Sequence, residues 1–162
     1  MAVVEKAIDV EAPVTRIYEQ WIRFQEFPRF AQGVKEVRGL DRRRSRWRVV
    51  IAGREKMWEA QITRQIPNQR ICWRTTGRMS SAGIANFYSL DARRSRIIVW
   101  IKFVPRGVVE HIGNLCGIVA RKVVWDLRRF KEFVESTGLK VDAHTTASDH
   151  RRVLDSNKDR WS

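Results

Sequence analysis

One segment sets the problem that the rest of this chain has to solve. Residues 104–136, VPRGVVEHIGNLCGIVARKVVWDLRRFKEFVES, carry Val108, Ile112, Leu115, Val119, Val123, Leu127, Phe130 and Val134 at steps of three or four. That period is helical, and Arg121, Lys122, Arg128, Arg129, Lys131 and Glu132 fall on the opposite side. About 30 residues of helix run about 45 Å at 1.5 Å per residue. A stripe of that length cannot bury itself. It demands a broad apolar surface from elsewhere in the chain.

Residues 34–104 offer the only candidate. They alternate with period two between turn signals: GVKEVRGLD, RWRVVIAG, KMWEAQITRQI, RICWRTT, AGIANFYSLD and RIIVWIKFV, broken at DRRRS, AGRE, PNQ and DARRS. Trp47, Val49 and Ile51 share one parity, as do Trp58, Ala60 and Ile62, then Ile71, Trp73 and Thr75, then Ile97, Val99, Ile101 and Phe103; arginines occupy much of the other. Clean alternation of this kind describes an antiparallel sheet that is wet on one face only.

The N-terminal part supplies a strand and two short helices. Val4, Ile8 and Val10 alternate up to Pro13, and Val14, Ile17, Trp21 and Phe24 then repeat on one helical face behind that proline. EFPRFA reads as a second short helix with Pro28 in its first turn, where a missing amide proton costs little, and Gly33 releases the chain. The aromatic side chains Trp21, Phe24, Phe27 and Phe30 therefore crowd around a break between two helices.

Composition narrows the classes. At 162 residues the chain is one domain, expected over 1–137, followed by a polar, aperiodic segment 138–162 that reads as a disordered tail. Seven tryptophans must fill a thick core or line an apolar pocket. Glu5 and Asp9 interrupt the N-terminal apolar stretch, so it does not read as a signal peptide, and no uncharged apolar run reaches the ~18–20 residues of a membrane span. Cys72 and Cys116 are two thiols far apart, expected as small apolar residues in a reducing cytoplasm. The net charge of +14 has two readings. Spread over outward faces, the basic side chains are a solvated surface; gathered at DRRRSRWR and ARRSR, they form a positive edge for RNA or a ribosome.

Together these elements give an α+β protein of helix-grip architecture: a curved antiparallel seven-stranded sheet wrapped around a long C-terminal helix, with two short helices after the first strand. At the level of residues, VEKAIDVEAPVTRIYEQWIRFQEFPRFAQGVKEVRGLD, WEAQITRQIPNQRICWRT and RFKEFVE resemble the bacterial polyketide cyclase/dehydrase branch of the START/Bet v 1-like superfamily. The resemblance spans roughly residues 3–136. It implies that the short helices close one end of the sheet, with Trp21 and Phe24 sealing the base and Phe27, Pro28 and Phe30 near the pocket or its rim.

Function is less sharply marked. The histidines are His111, His144 and His150, and HExxH, paired CxxC, a Gly-rich phosphate loop and GxSxG are all missing from the sequence. No metal site and no cofactor are expected. The leading expectation is binding of a hydrophobic or aromatic small molecule, a polyketide or lipid, between sheet and helix. Phe27, Phe30, Trp47, Trp58, Trp73, Thr75, Phe87, Val99, Ile101 and Phe103 would line the pocket, with His111 and Asn114 near its mouth. The alternative is a polyketide aromatase/cyclase, so whether the chain is an enzyme stays open. Members of that kind are implied to use a pocket arginine on the strand that carries Arg64 to polarise carbonyl oxygen and stabilise enolate. Arg64 shares parity with Trp58, Ala60 and Ile62, so an unbroken strand aims it inward, and a one-residue slip aims it out. Finally, Gly113 and Gly117 sit in the long helix, where each costs about 1 kcal/mol against alanine. Close packing or room for a ligand would account for them.

Overall fold

A computed structural model describes residues 2–76, 79–105 and 116–137 of the chain. Strand β1 (Ala2–Val10) leads into helix α1 (Val14–Ile22), which starts behind Pro13, and then into a 3-10 helix (Phe24–Arg29). Six strands follow: β2 (Val34–Gly39), β3 (Arg44–Ile51), β4 (Arg54–Ile66), β5 (Arg70–Thr76), β6 (Met79–Asp91) and β7 (Arg94–Pro105). A final helix, α2, occupies residues 116–137. The seven strands form one antiparallel sheet in the order β1-β7-β6-β5-β4-β3-β2. It is open and curved, and the architecture is the expected helix grip. Val108, Ile112 and Leu115, and the whole 138–162 segment, lie outside the described residues.

The two periodicities meet where the sequence places them. Leu127, Phe130 and Val134 of α2 are buried against Val10, Val49, Ile71, Ala85, Ile97 and Val99 of the sheet. Nearer the start of α2, Cys116, Val119 and Ala120 pack on Val4 and Phe103. The outward parity is solvated as expected, and much of its arginine is paired with acid: Arg46 with Glu59, Arg48 with Glu36 and Glu55, Arg96 with Asp9. Exposed pairs of this kind contribute little each, about 0–1 kcal/mol.

Two local corrections matter for the site. The second short helix is a 3-10 helix beginning at Phe24, with Pro28 inside it rather than in an α-helical first turn. In β4 the pairing slips between Ile62, opposite Trp73, and Arg64, opposite Cys72. Such a bulge reverses the facing of everything beyond it. Gln65 then turns inward to donate to the Tyr18 hydroxyl at 2.8 Å, and Arg64 turns out.

A polar clamp ties α2 to the edge of the sheet. After the 3-10 helix, Phe30–Gly33 runs toward β2, and there Gly33 has φ +85°. A Cβ on Gly33 would stand 2.5 Å from the Val50 carbonyl oxygen, so the position demands glycine. The Gln32 amide donates to Asp126 Oδ1 at 3.1 Å, while Lys122 Nζ donates to the Gln32 carbonyl at 3.2 Å and to Asp126 Oδ2. Burial outweighs these partners and raises the Asp126 carboxyl above its ordinary value of 3.8, with Lys122 opposing the rise.

Two expectations follow for stability. Phe130 is 1% exposed and Met57 60% exposed. In urea unfolding, Phe130→Ala is expected to cost about 3–5 kcal/mol and Met57→Ala to stay within about 0.5 kcal/mol. For Asp126 the sign is set by its raised value: the stability it adds is complete below the unfolded pKa and is lost as pH rises through the folded one. The stability of the wild type measured against Asp126→Asn should therefore fall between acid pH and neutrality. A difference that stays flat or climbs over that range would contradict the assignment.

Candidate functional site

The sheet and α2 do not meet along their whole length. Between them lies a hollow of about 280 Å³. Three tryptophans from three adjacent strands dominate it: Trp47, Trp58 and Trp73, with Trp47 directly opposite Trp58 in the ladder. Trp21 makes a fourth wall, so four of the chain's seven tryptophans face one space. At the end covered by the short helices the rings interlock. Phe27 lies 4.9 Å from Phe30 and 5.1 Å from Trp47, while Phe30 and Trp21 both stand edge-on to Phe130 at 5.2 and 5.3 Å. Edge-to-face rings at these spacings add to area burial alone.

One contact keeps the hollow from being filled. Trp73 pairs with Gly83 across β5 and β6, and its indole leans over that glycine. A Cβ on Gly83 would lie 2.2 Å from Trp73 Cζ2, so any side chain there would lift the ring away from the sheet.

Polar atoms are few and ordered in a row. Ser45, Ala60, Thr75 and Ser81 are neighbours in register across β3, β4, β5 and β6, and all four line the hollow. Ser45 Oγ accepts from Trp47 Nε1 at 2.8 Å. Thr75 Oγ1 and Ser81 Oγ are 2.7 Å apart, and the Ser81 amide donates to Thr75 Oγ1 at 3.1 Å. Two hydroxyls carry two protons and their mutual bond uses one. Among the described contacts, the pair thus leaves one O–H for an acceptor inside the hollow. The opposite wall holds Lys122 and Asp126.

The expected residues fall into four groups. Phe27, Phe30, Trp47, Trp58, Trp73, Thr75, Val99, Ile101 and Phe103 all line the hollow. Phe87 is buried behind it, edge-on to Tyr18 and Trp21 at 5.5 and 5.7 Å, where it supports the wall without reaching the space. Arg64 is exposed beyond the β4 bulge and does not line the hollow. His111, Asn114 and Gly113 lie outside the described residues. Among the described residues, an added Cβ at Gly117 would meet nothing within 4 Å, so packing against them does not explain that glycine.

Four polar contributors were not anticipated: Ser45, Ser81, Lys122 and Asp126. Ser45 and Ser81 were within reach of parity, because they continue the inward faces of Trp47 and Ala85. Lys122 was expected on the solvent side of α2, yet its stem crosses to the rim, where the ammonium meets Asp126 and Gln32. Helical spacing alone does not show how far a lysine stem reaches.

The basic turns between β2 and β3 and between β6 and β7 lie at the same end of the sheet, since the strands alternate in direction. The order β7-β6-β5-β4-β3-β2 sets β5 and β4 between them. Among the described residues, no helix is long and apolar enough to cross a membrane.

Comparison with known proteins agrees with this geometry. A Mycobacterium smegmatis protein of the START superfamily has the same fold, with a TM-score of 0.74 at 14% identity over 83% of this chain and 98% of that one. An aromatase/cyclase of a Streptomyces species, Zhui, superposes with a TM-score of 0.76 at 21% identity, covering 83% of this chain and 93% of its own. In sequence, an uncharacterized 17.2 kDa protein of Streptomyces lincolnensis is 36% identical over 139 residues, which is 85% of this chain and 93% of the relative. Residues 10–135 match the family described as polyketide cyclase / dehydrase and lipid transport. The open sheet, the gripped helix and that match over most of the chain make this protein a member of the polyketide cyclase/dehydrase and lipid transport family.

Proposed function

We propose that the protein binds a hydrophobic, aromatic small molecule in the hollow between the sheet and α2. The observation that carries this reading is the hollow itself, walled by four tryptophans and held open by the glycine under Trp73. Protein interiors are ordinarily packed without voids of this size. A dry cavity of about 150 Å³ holds one benzene. About 280 Å³ has room for a fused bicyclic ring. The Thr75–Ser81 pair would donate to one oxygen of the ligand, and the Lys122 ammonium would face the other end. Membership of a family that includes polyketide and lipid proteins supports a ligand of this class.

A second reading, a polyketide aromatase/cyclase, is favoured by the Lys122 ammonium in the wall together with the likeness to the Streptomyces enzyme. In that chemistry a fixed cation stabilises enolate oxygen as a carbon–carbon bond forms. Arg64, on its exposed stretch of β4, is poorly placed for the task, and Lys122 would take it. Turnover of a poly-β-keto substrate that survives Arg64→Ala and disappears in Lys122→Ala is the outcome this reading requires.

For binding, 2-naphthol and naphthalene are suitable probes, followed by calorimetry and by quenching of tryptophan emission. Saturable one-site binding of both is expected. Gly83→Ala, which drives Trp73 into the hollow, should weaken both by at least about tenfold while the circular dichroism spectrum is retained. Thr75→Val combined with Ser81→Ala should cost naphthol about three- to tenfold more than naphthalene, the worth of one net hydrogen bond. Binding indifferent to Gly83→Ala would rule out this hollow as the site.

A further inference from the structure

A second concavity lies on the other side of the wall formed by Phe24, Ser45 and Ile62. It has a volume of about 330 Å³ and sits between the α1–3-10 junction and the turn joining β2 to β3. Its floor is apolar: Ile22, Phe24, Val37 and Ile62. Its rim is cationic: Arg23, Arg42, Arg43 and Arg44. Glu26 and Asp41 also border it, but both are engaged, Glu26 with Gln20 and Arg29, Asp41 with Arg44. Among the described residues, the side chains of Arg23, Arg42 and Arg43 make no ion pair or hydrogen bond, whereas Arg38, Arg46 and Arg48 on the neighbouring strands are all paired. An apolar floor under three uncompensated guanidiniums is a surface with a definite complement.

The turn that presents these arginines is held in place. Asp41 Oδ1 accepts from the Arg43 and Arg44 amides at 2.9 and 2.8 Å, and Asp41 Oδ2 meets Arg44 Nε at 2.7 Å. The Arg43 carbonyl accepts from the Ile62 amide at 2.7 Å, which fastens the turn to β4. The molecule contains a close copy for comparison. In DARRS, the β6–β7 turn, Asp91 makes the same bonds to the Arg93 amide and Arg94 Nε, yet none of these residues borders the concavity. DRRRS differs in having an additional arginine, Arg42, where DARRS has Ala92.

We infer that this concavity is a second binding site, for a small amphiphilic anion: a carboxylate, sulfate or phosphate held by Arg42 and Arg43, with an apolar body lying on Phe24 and Val37. Guanidinium groups match such anions with two parallel hydrogen bonds. The site shares the wall of Phe24, Ser45 and Ile62 with the central hollow, but its arginine rim, Ile22 and Val37 are its own, and it does not depend on the hollow being occupied.

The test uses 2-naphthoate as the probe on the full chain by calorimetry, in a Gly83→Ala background that obstructs the hollow. One-site binding is expected to persist there. It should weaken by at least about tenfold on adding Arg42→Ala with Arg43→Ala, remain unchanged with Arg93→Ala, and fall as salt shortens the screening length from about 14 to about 4 Å. Loss of binding through Gly83→Ala alone would place the probe in the hollow and overturn the inference. So would affinity indifferent to Arg42 and Arg43. An oligoribonucleotide that binds with this arginine dependence while naphthoate does not bind would overturn it as well, assigning the turn to nucleic acid.

Discussion

The rest of the structure follows from a mismatch of widths. Seven strands at about 4.8 Å spacing make a sheet about 29 Å across, while one helix with its side chains is about 10–12 Å wide. A single helix cannot cover the dry face of such a sheet. The chain reduces the gap by curving the sheet and by laying α1, the 3-10 helix and Phe30–Gly33 over what remains. The apolar cluster that joins α2 to the sheet is continuous from Val10 to Val134, and the short helices contribute Ile17, Tyr18, Trp21, Phe24 and Phe27 to it. Toward the middle of α2 the two layers part, and the hollow is what geometry leaves.

The faces of the sheet were legible because period two is rigid. Each inward tryptophan expected from parity, Trp47, Trp58 and Trp73, lines the hollow. Legibility ended where the backbone breaks its own period. The sequence left the facing of Arg64 open between an unbroken strand and a one-residue slip, and the slip between Ile62 and Arg64 reverses parity beyond it. Arg64 and Gln65 thereby exchange faces, which puts an amide against Tyr18 and a guanidinium in water. The place of Phe87 was lost for a different reason. Parity correctly turns it inward, but depth along the strand decides between pocket and core, and at that depth α1 has already filled the space. Lys122 escaped because a four-carbon stem lets a charge leave its own helical face.

Electrostatics divides the protein in the same way as packing. Asp41 is held below the ordinary carboxyl value chiefly by the Arg43 amide and then by Arg44, Asp91 likewise by the Arg93 amide and Arg94, and Asp9 by Arg96. These three are at the surface and their charge costs little. Asp126 is the same side chain pushed the other way, by burial. A carboxylate so placed works against the fold at neutral pH unless it is paired, and Lys122 with the Gln32 amide supplies the pairing. The rim of the hollow thus holds a charged pair whose members restrain each other.

Gly83 sets the proposed binding site apart from an ordinary defect in packing. A core shaped for stability alone would place a methyl or larger group at the centre of β6, since each void forfeits contact energy. Glycine in a strand interior weakens it further. Here the missing side chain does something else: it lets the Trp73 indole lie against the sheet, where its face looks across the space at α2. On the flanking row, Ser45, Ala60, Thr75 and Ser81 are all small, so this band of the floor is low across four strands. Small residues in one lateral row, bordered by tryptophans that stand higher, form a trough. Its polar groups are two hydroxyl sites in the floor and an ammonium–carboxylate pair at the rim. The ligand proposed for it would match such a trough by being flat, largely apolar, and oxygenated at its ends.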